Sequence, residues 1–439
     1  MDADGRLWYP YTQMRGLAPP LEIVRGFGAW LEAADGRRYL DAISSWWVTL
    51  HGHAEPRIAA AIAAQARQLE QVILAGCTHP AAEALAERLL AVVPAGLQHV
   101  FYSDDGSTAV EVALKMAVQC WQQRGQPERS EFIALEHAYH GDTVGAMSVS
   151  ARSPFTAAFD AWLLPVGRAH TSYCYRCPVG RRRESCSIEC LASLERQLEE
   201  RQGRVAAVIV EPLLQGAGGM IVQPPEFLRG VRRLCDRHQA LLIADEVLTG
   251  FGRTGSMFAC EQAGVSPDIL CLSKGLTGGF LPLAATLCRD EVYAPFLSDD
   301  RRRTLFHGHS YTGNPLGCAA ALASLDIFAS EPVFERIAAI AAGHARRLER
   351  LRAHPQVGDT RQAGTVAALE LRRGAGAESE AYLDAAGPRI QRFALAHGVL
   401  LRPLGRVVYV LPPYAISAGE LDRIWDVIEA SLNELQDAS

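Results

Sequence analysis

The chain has 439 residues, of which 49% are hydrophobic and 21% charged, with a formal net charge of −6. That length suits about two or three domains around a large buried core. The acidic balance argues against nucleic acid or an anionic membrane as the main partner. The start Met1-Asp2-Ala3-Asp4-Gly5-Arg6 has no long apolar run behind it, so neither a secretory leader nor a membrane span is expected, and a cytoplasmic enzyme is.

In chain order, strand-like Ala29-Trp30-Leu31-Glu32 and Arg38-Tyr39-Leu40 flank a turn at Asp35-Gly36. Buried-strand runs follow at Val100-Phe101-Tyr102, Phe132-Ile133-Ala134-Leu135, Val205-Ala206-Ala207-Val208-Ile209-Val210, Leu241-Leu242-Ile243-Ala244 and Ile269-Leu270-Cys271-Leu272. Amphipathic stretches lie between them. Val110, Leu114, Val118 and Trp121 share one helical face, and a second helix pattern from Phe227 to Leu234 leads into the strand at Leu241. Such alternation with unbroken apolar strands predicts an α/β fold, its mostly parallel sheet covered by helices. Farther on, a helix pattern runs through Ile337, Ile340, Leu348 and Leu351, and strand pieces fall at Val366-Ala367-Ala368-Leu369 and Val407-Val408-Tyr409-Val410. The last helix opens on Ser417-Ala418-Gly419-Glu420, the spacing of a capping box. The expected organisation is a large domain over 56–320, a smaller α+β domain over 321–439, and an N-terminal segment, 1–55, packing with the latter.

Three chemical signals each follow a strand, where ligands bind in open α/β sheets. Asp105-Gly106-Ser107 opens a helix after Tyr102, as a phosphate cradle does; an ordinary helix cap at Ser107 suits the same residues. Asp245 ends an apolar run, as the acid partner of a cofactor pyridine nitrogen does, or a helix cap. Lys274 follows another apolar strand and precedes Gly275. A lysine desolvated there is a nucleophile for Schiff-base chemistry, whereas a lone lysine is more often a surface residue. Cradle, carboxylate and lysine in that order together point to pyridoxal 5′-phosphate (PLP).

The stretch Leu242-Ile243-Ala244-Asp245-Glu246-Val247-Leu248-Thr249-Gly250-Phe251-Gly252-Arg253-Thr254-Gly255 resembles the signature of the class III aminotransferases, as do Ser273-Lys274-Gly275 and the run Gly308-His309-Ser310-Tyr311-Thr312-Gly313-Asn314-Pro315. Further motifs are similar to the branch of that family that aminates 8-amino-7-oxononanoate in biotin synthesis. They are Trp8-Tyr9-Pro10-Tyr11-Thr12-Gln13-Met14, Ser44-Ser45-Trp46-Trp47, Tyr139-His140-Gly141-Asp142-Thr143, Gln215-Gly216-Ala217-Gly218-Gly219-Met220, and Arg402-Pro403-Leu404-Gly405 followed by Tyr409 and Pro412-Pro413-Tyr414.

The resemblance implies a PLP fold type I homodimer with Lys274, Asp245 and Tyr11 as catalytic residues. It implies cofactor contacts from Gly106, Ser107, Tyr139, Asp245 and Lys274, with His309 and Ser310 reaching in from the other subunit. It implies a substrate site lined by Tyr11, Trp46, Tyr139, Gly308 and Arg402. An arginine fork suits the substrate carboxylate, and aromatic walls suit its methylenes. The chain departs from the family at His309-Ser310, where many members have Pro-Thr. The loop borders the donor site, so the expected donor, S-adenosylmethionine, has lysine as its alternative. Another class III aminotransferase, acting on an ω-amino acid or a polyamine, is the other reading.

Of eleven cysteines, seven sit in apolar segments and read as small buried residues. Cys174-x2-Cys177-x8-Cys186-x3-Cys190 lies beside Arg181-Arg182-Arg183. That spacing suits Zn²⁺ or an iron–sulfur cluster, and equally a reduced loop with no ligand, and no metal is assigned to it here. His137 and His140, flanking Tyr139, read as hydrogen-bonded supports.

Overall fold

Seven strands form the central sheet of the computed structural model, which describes residues 6–372 and 384–437. Their spatial order is Leu97–Ser103, Ala284–Arg289, Ile269–Leu272, Leu241–Asp245, Val205–Val210, Glu131–Leu135 and Gly167–Ala169. Only Ala284–Arg289 runs against its neighbours; every other pairing in the sheet is parallel. The apolar runs are strands because both sheet faces are covered. Val205–Val210 and Leu241–Asp245 are buried at every position. The antiparallel strand is absent from the sequence reading. Its residues, Ala-Ala-Thr-Leu-Cys-Arg, carry neither β-branched enrichment nor alternation, and they become a strand by filling the gap between two strands that need partners.

The helix Gly106–Gln123 packs Val110, Leu114 and Trp121 into the core and leaves Val118 half-buried. Asp105, rather than Ser107, caps this helix: its carboxylate accepts from Thr108 N at 2.9 Å, and the Thr108 hydroxyl closes a capping box. The Ser107 hydroxyl is thereby left facing the sheet edge, where it accepts from Asp142 N at 3.2 Å.

The first strands, Ile23–Phe27, Trp30–Ala33 and Arg38–Asp41, form a second sheet whose fourth strand is Val399–Leu400, from near the other end of the chain. A third sheet joins Val357–Ala363, Val366–Leu371 and Val407–Val410. The last helix, Ala418–Asp437, begins at the expected capping box, with Ser417 and Glu420 bonded to each other and to each other's amides. No single helix among the described residues is long and apolar enough to cross a membrane. Six of the seven scattered cysteines are buried, but Cys77 is exposed. The acidic start, residues 1–5, lies outside the described residues.

Arg253 fastens these parts together. Its side chain is fully enclosed, and it donates to the carbonyls of Thr49 at 2.9 Å and Pro412 at 3.0 Å while lying 5.1 Å from the Tyr414 ring centroid. Arg253→Met leaves these buried carbonyls unpaired and should lower the unfolding free energy by about 2–4 kcal/mol in urea titrations. A change within experimental error would show that the fastening is not needed.

Candidate active site

Five parallel strands deliver their carboxyl ends to one cavity of about 400 Å³. Ser103 leads into Asp104, Asp105, Gly106 and Ser107; Leu135 leads to Tyr139 and His140; Val210 leads to Glu211; Asp245 ends its own strand; Leu272 leads to Ser273 and Lys274. Three of these strand ends, those before Asp104, at Asp245 and before Ser273, are the ones that sequence reading singles out.

Lys274 sits in the left-handed region, φ 43°, on a short 3-10 turn, Lys274–Thr277. A positive φ on a non-glycine residue costs about 1–3 kcal/mol and aims this side chain into the cavity rather than along the chain. Its Nζ lies 4.9 Å from the ring centroid of Trp47. Burial lowers the amine's pKa below that of an ordinary lysine, against the raising effects of Asp245 and Glu211. An amine so placed is closer to its neutral, nucleophilic form.

Asp245 pairs with His140, whose Nδ1 lies 2.7 Å from Oδ2, and its other oxygen accepts from Val247 N at 3.0 Å. His140 is buried, and its Nε2 has no partner among the described residues. Burial pushes the nearby Glu211 carboxyl up to about 7, with His140 opposing and Asp245 adding to the rise. Glu211 accepts from Tyr139 N at 3.0 Å and Gly216 N at 2.9 Å, so it fixes the loop carrying the Tyr139 ring.

Glycines let the chain close up around the Ser107 end of the cavity. A Cβ on Gly106 would meet Val247 Cγ1 at 2.7 Å, and one on Gly141, φ 132°, would meet Ser107 Oγ at 2.1 Å. Free amides at the start of an eighteen-residue helix face this corner.

At the mouth of the cavity, the Tyr11 ring meets Trp46 edge-on at 5.7 Å, and the Arg402 guanidinium lies 4.8 Å from the Trp46 ring. Tyr11 reaches Tyr139 OH at 3.4 Å and donates to Asp142. Arg402 has no carboxylate partner among the described residues. The Gly308-His309-Ser310 loop stands to one side, with His309 Nδ1 3.3 Å from Asp104 and the Ser310 carbonyl bonded to Gln71. Glu211, Asp142, Val247 and Trp47 were not assigned roles from sequence. Trp47 belongs to the Ser44-Ser45-Trp46-Trp47 motif, yet the structure puts it beside the lysine and Trp46 at the mouth. Asp41 sets that division: it accepts from Ile43 N and Ser45 N, while Ser44, Ser45 and Trp47 all take positive φ.

A buried, pKa-lowered lysine, a carboxylate–imidazole pair and a glycine-lined helix start at the ends of a mostly parallel sheet define a PLP fold type I enzyme. The chain matches the class III aminotransferases over residues 11–432 and belongs to that family. It is a PLP-dependent aminotransferase. It is 49% identical to the adenosylmethionine-8-amino-7-oxononanoate aminotransferase of Geobacter sulfurreducens, over 97% of this chain and 95% of that one. It is 48% identical to the enzyme of that name from Synechococcus elongatus, over 99% and 100%. Among solved structures it resembles the Methanocaldococcus jannaschii enzyme of that name, with a TM-score of 0.92 and 39% identity over 98% of this chain and 97% of that one. It also resembles a PLP-bound amine transaminase from an uncultivated Pseudomonas species, with a TM-score of 0.90 and 35% identity over 99% and 100%. The cavity fits PLP: it offers a buried amine for the aldehyde, buried polar groups for the ring, and the Ser107 hydroxyl at a helix start for the phosphate.

Two outcomes follow from this geometry. Gly141→Ala should weaken PLP retention at least about tenfold, because roughly 1.4 kcal/mol of strain at the Ser107 contact already has that effect, and equilibrium dialysis measures it. Glu211 is held neutral by folding, so stability that depends on the neutral form is fully present below about 4.5 and is lost as the pH rises through about 7. Glu211→Gln should flatten the change in urea-unfolding stability of the cofactor-free protein across that window. An unchanged slope would place the titration elsewhere.

Proposed function

We propose that this aminotransferase converts 8-amino-7-oxononanoate to 7,8-diaminononanoate in biotin synthesis, with S-adenosylmethionine as the amino donor. The observation that carries the reading is the entrance cluster of Tyr11, Trp46 and Arg402, set against Tyr139. A guanidinium with no carboxylate partner among the described residues, beside an aromatic wall, fits a carboxylate at the end of a methylene chain. The names of the relatives support the same substrate.

Bound PLP supplies an electron sink that makes the carbon–hydrogen bond next to a substrate nitrogen acidic. Lys274 would hold the cofactor through its Nζ and would serve as the proton-transfer group at the substrate carbon. Asp245, itself held by His140, would face the pyridine nitrogen. Tyr139 would cover the ring, and Gly106 and Ser107 would take the phosphate. Tyr11 and Asp142 orient the substrate's amino group, Trp46 flanks its methylenes and Arg402 clamps its carboxylate. A second copy of the chain completes the site with its Gly308, His309 and Ser310. The exposed Trp8, Phe306 and Tyr311 support such a homodimer. We place this activity in the cytoplasm, apart from nucleic acid and membranes, a reading that the acidic net charge of −6 supports.

A donor panel with 8-amino-7-oxononanoate as acceptor tests the reading. Diaminononanoate should form with S-adenosylmethionine. Formation with lysine alone would change the donor, and formation with neither would leave only the family. Lys274→Ala should reduce turnover by at least about 10⁴-fold, since it removes both the attachment and a proton-transfer group each worth orders of magnitude in rate. Weak PLP binding should remain through the phosphate corner. Arg402→Ala should raise KM for the keto acid by about 10–100-fold, the loss of one charge-assisted carboxylate contact, with little change in the donor half-reaction.

A further inference from the structure

Between the strand Gly167–Ala169 and the helix Leu191–Glu200, residues 170–190 contain only two three-residue 3-10 turns, Cys174–Arg176 and Arg183–Ser185. Loops beyond about 12–15 residues without regular structure are uncommon and usually serve a purpose. This one carries four of the chain's eleven cysteines and none of the groups used above.

The four thiols are neighbours. Cys190, buried at the start of its helix, lies within electrostatic reach of Cys186, Cys177 and Cys174, and Cys174 lies within reach of Cys186 and Cys177. Two sulfurs already accept backbone amides: Cys177 from Arg181 N at 3.3 Å and Cys186 from Ile188 N at 3.2 Å. Backbone amides already turned onto sulfur are the donors that support a metal-bound cysteine, and sulfur is what soft metals bind. The neighbouring Arg181, Arg182 and Arg183 suit the −2 charge of a divalent ion held by four cysteine sulfurs.

We propose that Cys174, Cys177, Cys186 and Cys190 bind one Zn²⁺ as a closed, structural four-thiolate site. Among the described residues no group of three His, Cys, Asp or Glu side chains stands ready in coordinating geometry, so binding draws the two turns together and releases protons as it does so. With all four positions taken by sulfur the ion has no open position for chemistry. What it holds is the docking of the loop. Tyr173 OH donates to Glu370 at 2.5 Å, Arg176 pairs with the same carboxylate, and the Tyr173 ring lies 5.8 Å from His137, two residues before Tyr139. Burial works to raise the Glu370 pKa, yet Tyr173, Arg361 and Arg176 together bring it below the usual value, so this carboxylate is a charged anchor for the loop.

The test uses untagged holoenzyme purified anaerobically without chelators. Elemental analysis should find about one zinc per chain, and Cys177→Ser/Cys186→Ser should lower it at least tenfold while PLP absorbance and the donor half-reaction persist. Cobalt(II) added to zinc-stripped parent enzyme should give a thiolate-to-metal charge-transfer band that saturates at one equivalent, absent in the variant. Should the variant fail to fold, thiol labelling of the parent decides: a strong chelator should expose four reactive thiols beyond Cys77. Less than a tenth of an equivalent of zinc with no cobalt band, stoichiometric iron, a disulfide among the four, or zinc unchanged in the variant would each overturn the proposal.

Discussion

A lysine amine buried in a cavity roofed by an indole is the constraint that orders this molecule. A charged ammonium there would be costly, so burial drives Lys274 toward its neutral form. The chain accepts an unfavourable backbone conformation to aim the side chain inward. Trp47, which roofs it, is held by a hydrogen bond from its indole to Tyr409 at 3.0 Å, so a strand of the C-terminal sheet supports the lysine through the indole. Arg253 then ties the loop after Trp47 to the Pro412 segment. Chemistry at one atom thus depends on parts of the chain hundreds of residues apart.

The carboxylates around that amine are kept different by their surroundings. Asp245 has an imidazole against one oxygen and an amide on the other. Glu211 has two amides but sits wholly enclosed, and burial outweighs them. One carboxylate is held by an imidazole and an amide, and the other, raised by burial, braces the Tyr139 loop. Two acids of similar intrinsic strength are given separate tasks by solvation and partners.

Much of this was legible in the sequence because strands buried on both faces announce themselves as apolar runs, and the residue after each run is where a ligand is met. Lys274, Asp245, Gly106, Ser107 and Tyr139 were found that way or through motif resemblance, and the structure brings them into one cavity. Glu211 also follows such a run, Val205–Val210, and was open to the same argument. What hid it was the absence of any motif to distinguish a buried acid from a strand-end cap. Asp105 was obscured by Ser107, an equally good cap by type, and only hydrogen-bond geometry separates them. The strand Ala284–Arg289 could not be read from local pattern, since its conformation is imposed by its neighbours. Trp47 and Trp46 differ by one residue and lie at opposite ends of the site. That difference comes from consecutive positive-φ residues around Asp41, a feature with no signature in composition or periodicity.

The sheet that joins the start of the chain to its end bears on how the enzyme comes into being. Leu40 pairs with Val399 and Asp41 with Leu400. Asp41 shapes the turn that sets both tryptophans, and Val399–Leu400 directly precedes the segment bearing Arg402. On the ribosome, the first forty residues emerge long before the strand they need. Such long-range pairing closes late, because the entropy of the intervening chain must be overcome first. The strand ends from Ser103 to Lys274 emerge earlier in synthesis than the segment bearing Arg402. A chain cut short before residue 399 lacks the pairing that supports the Asp41 turn, and with it the setting of Trp46 and Trp47.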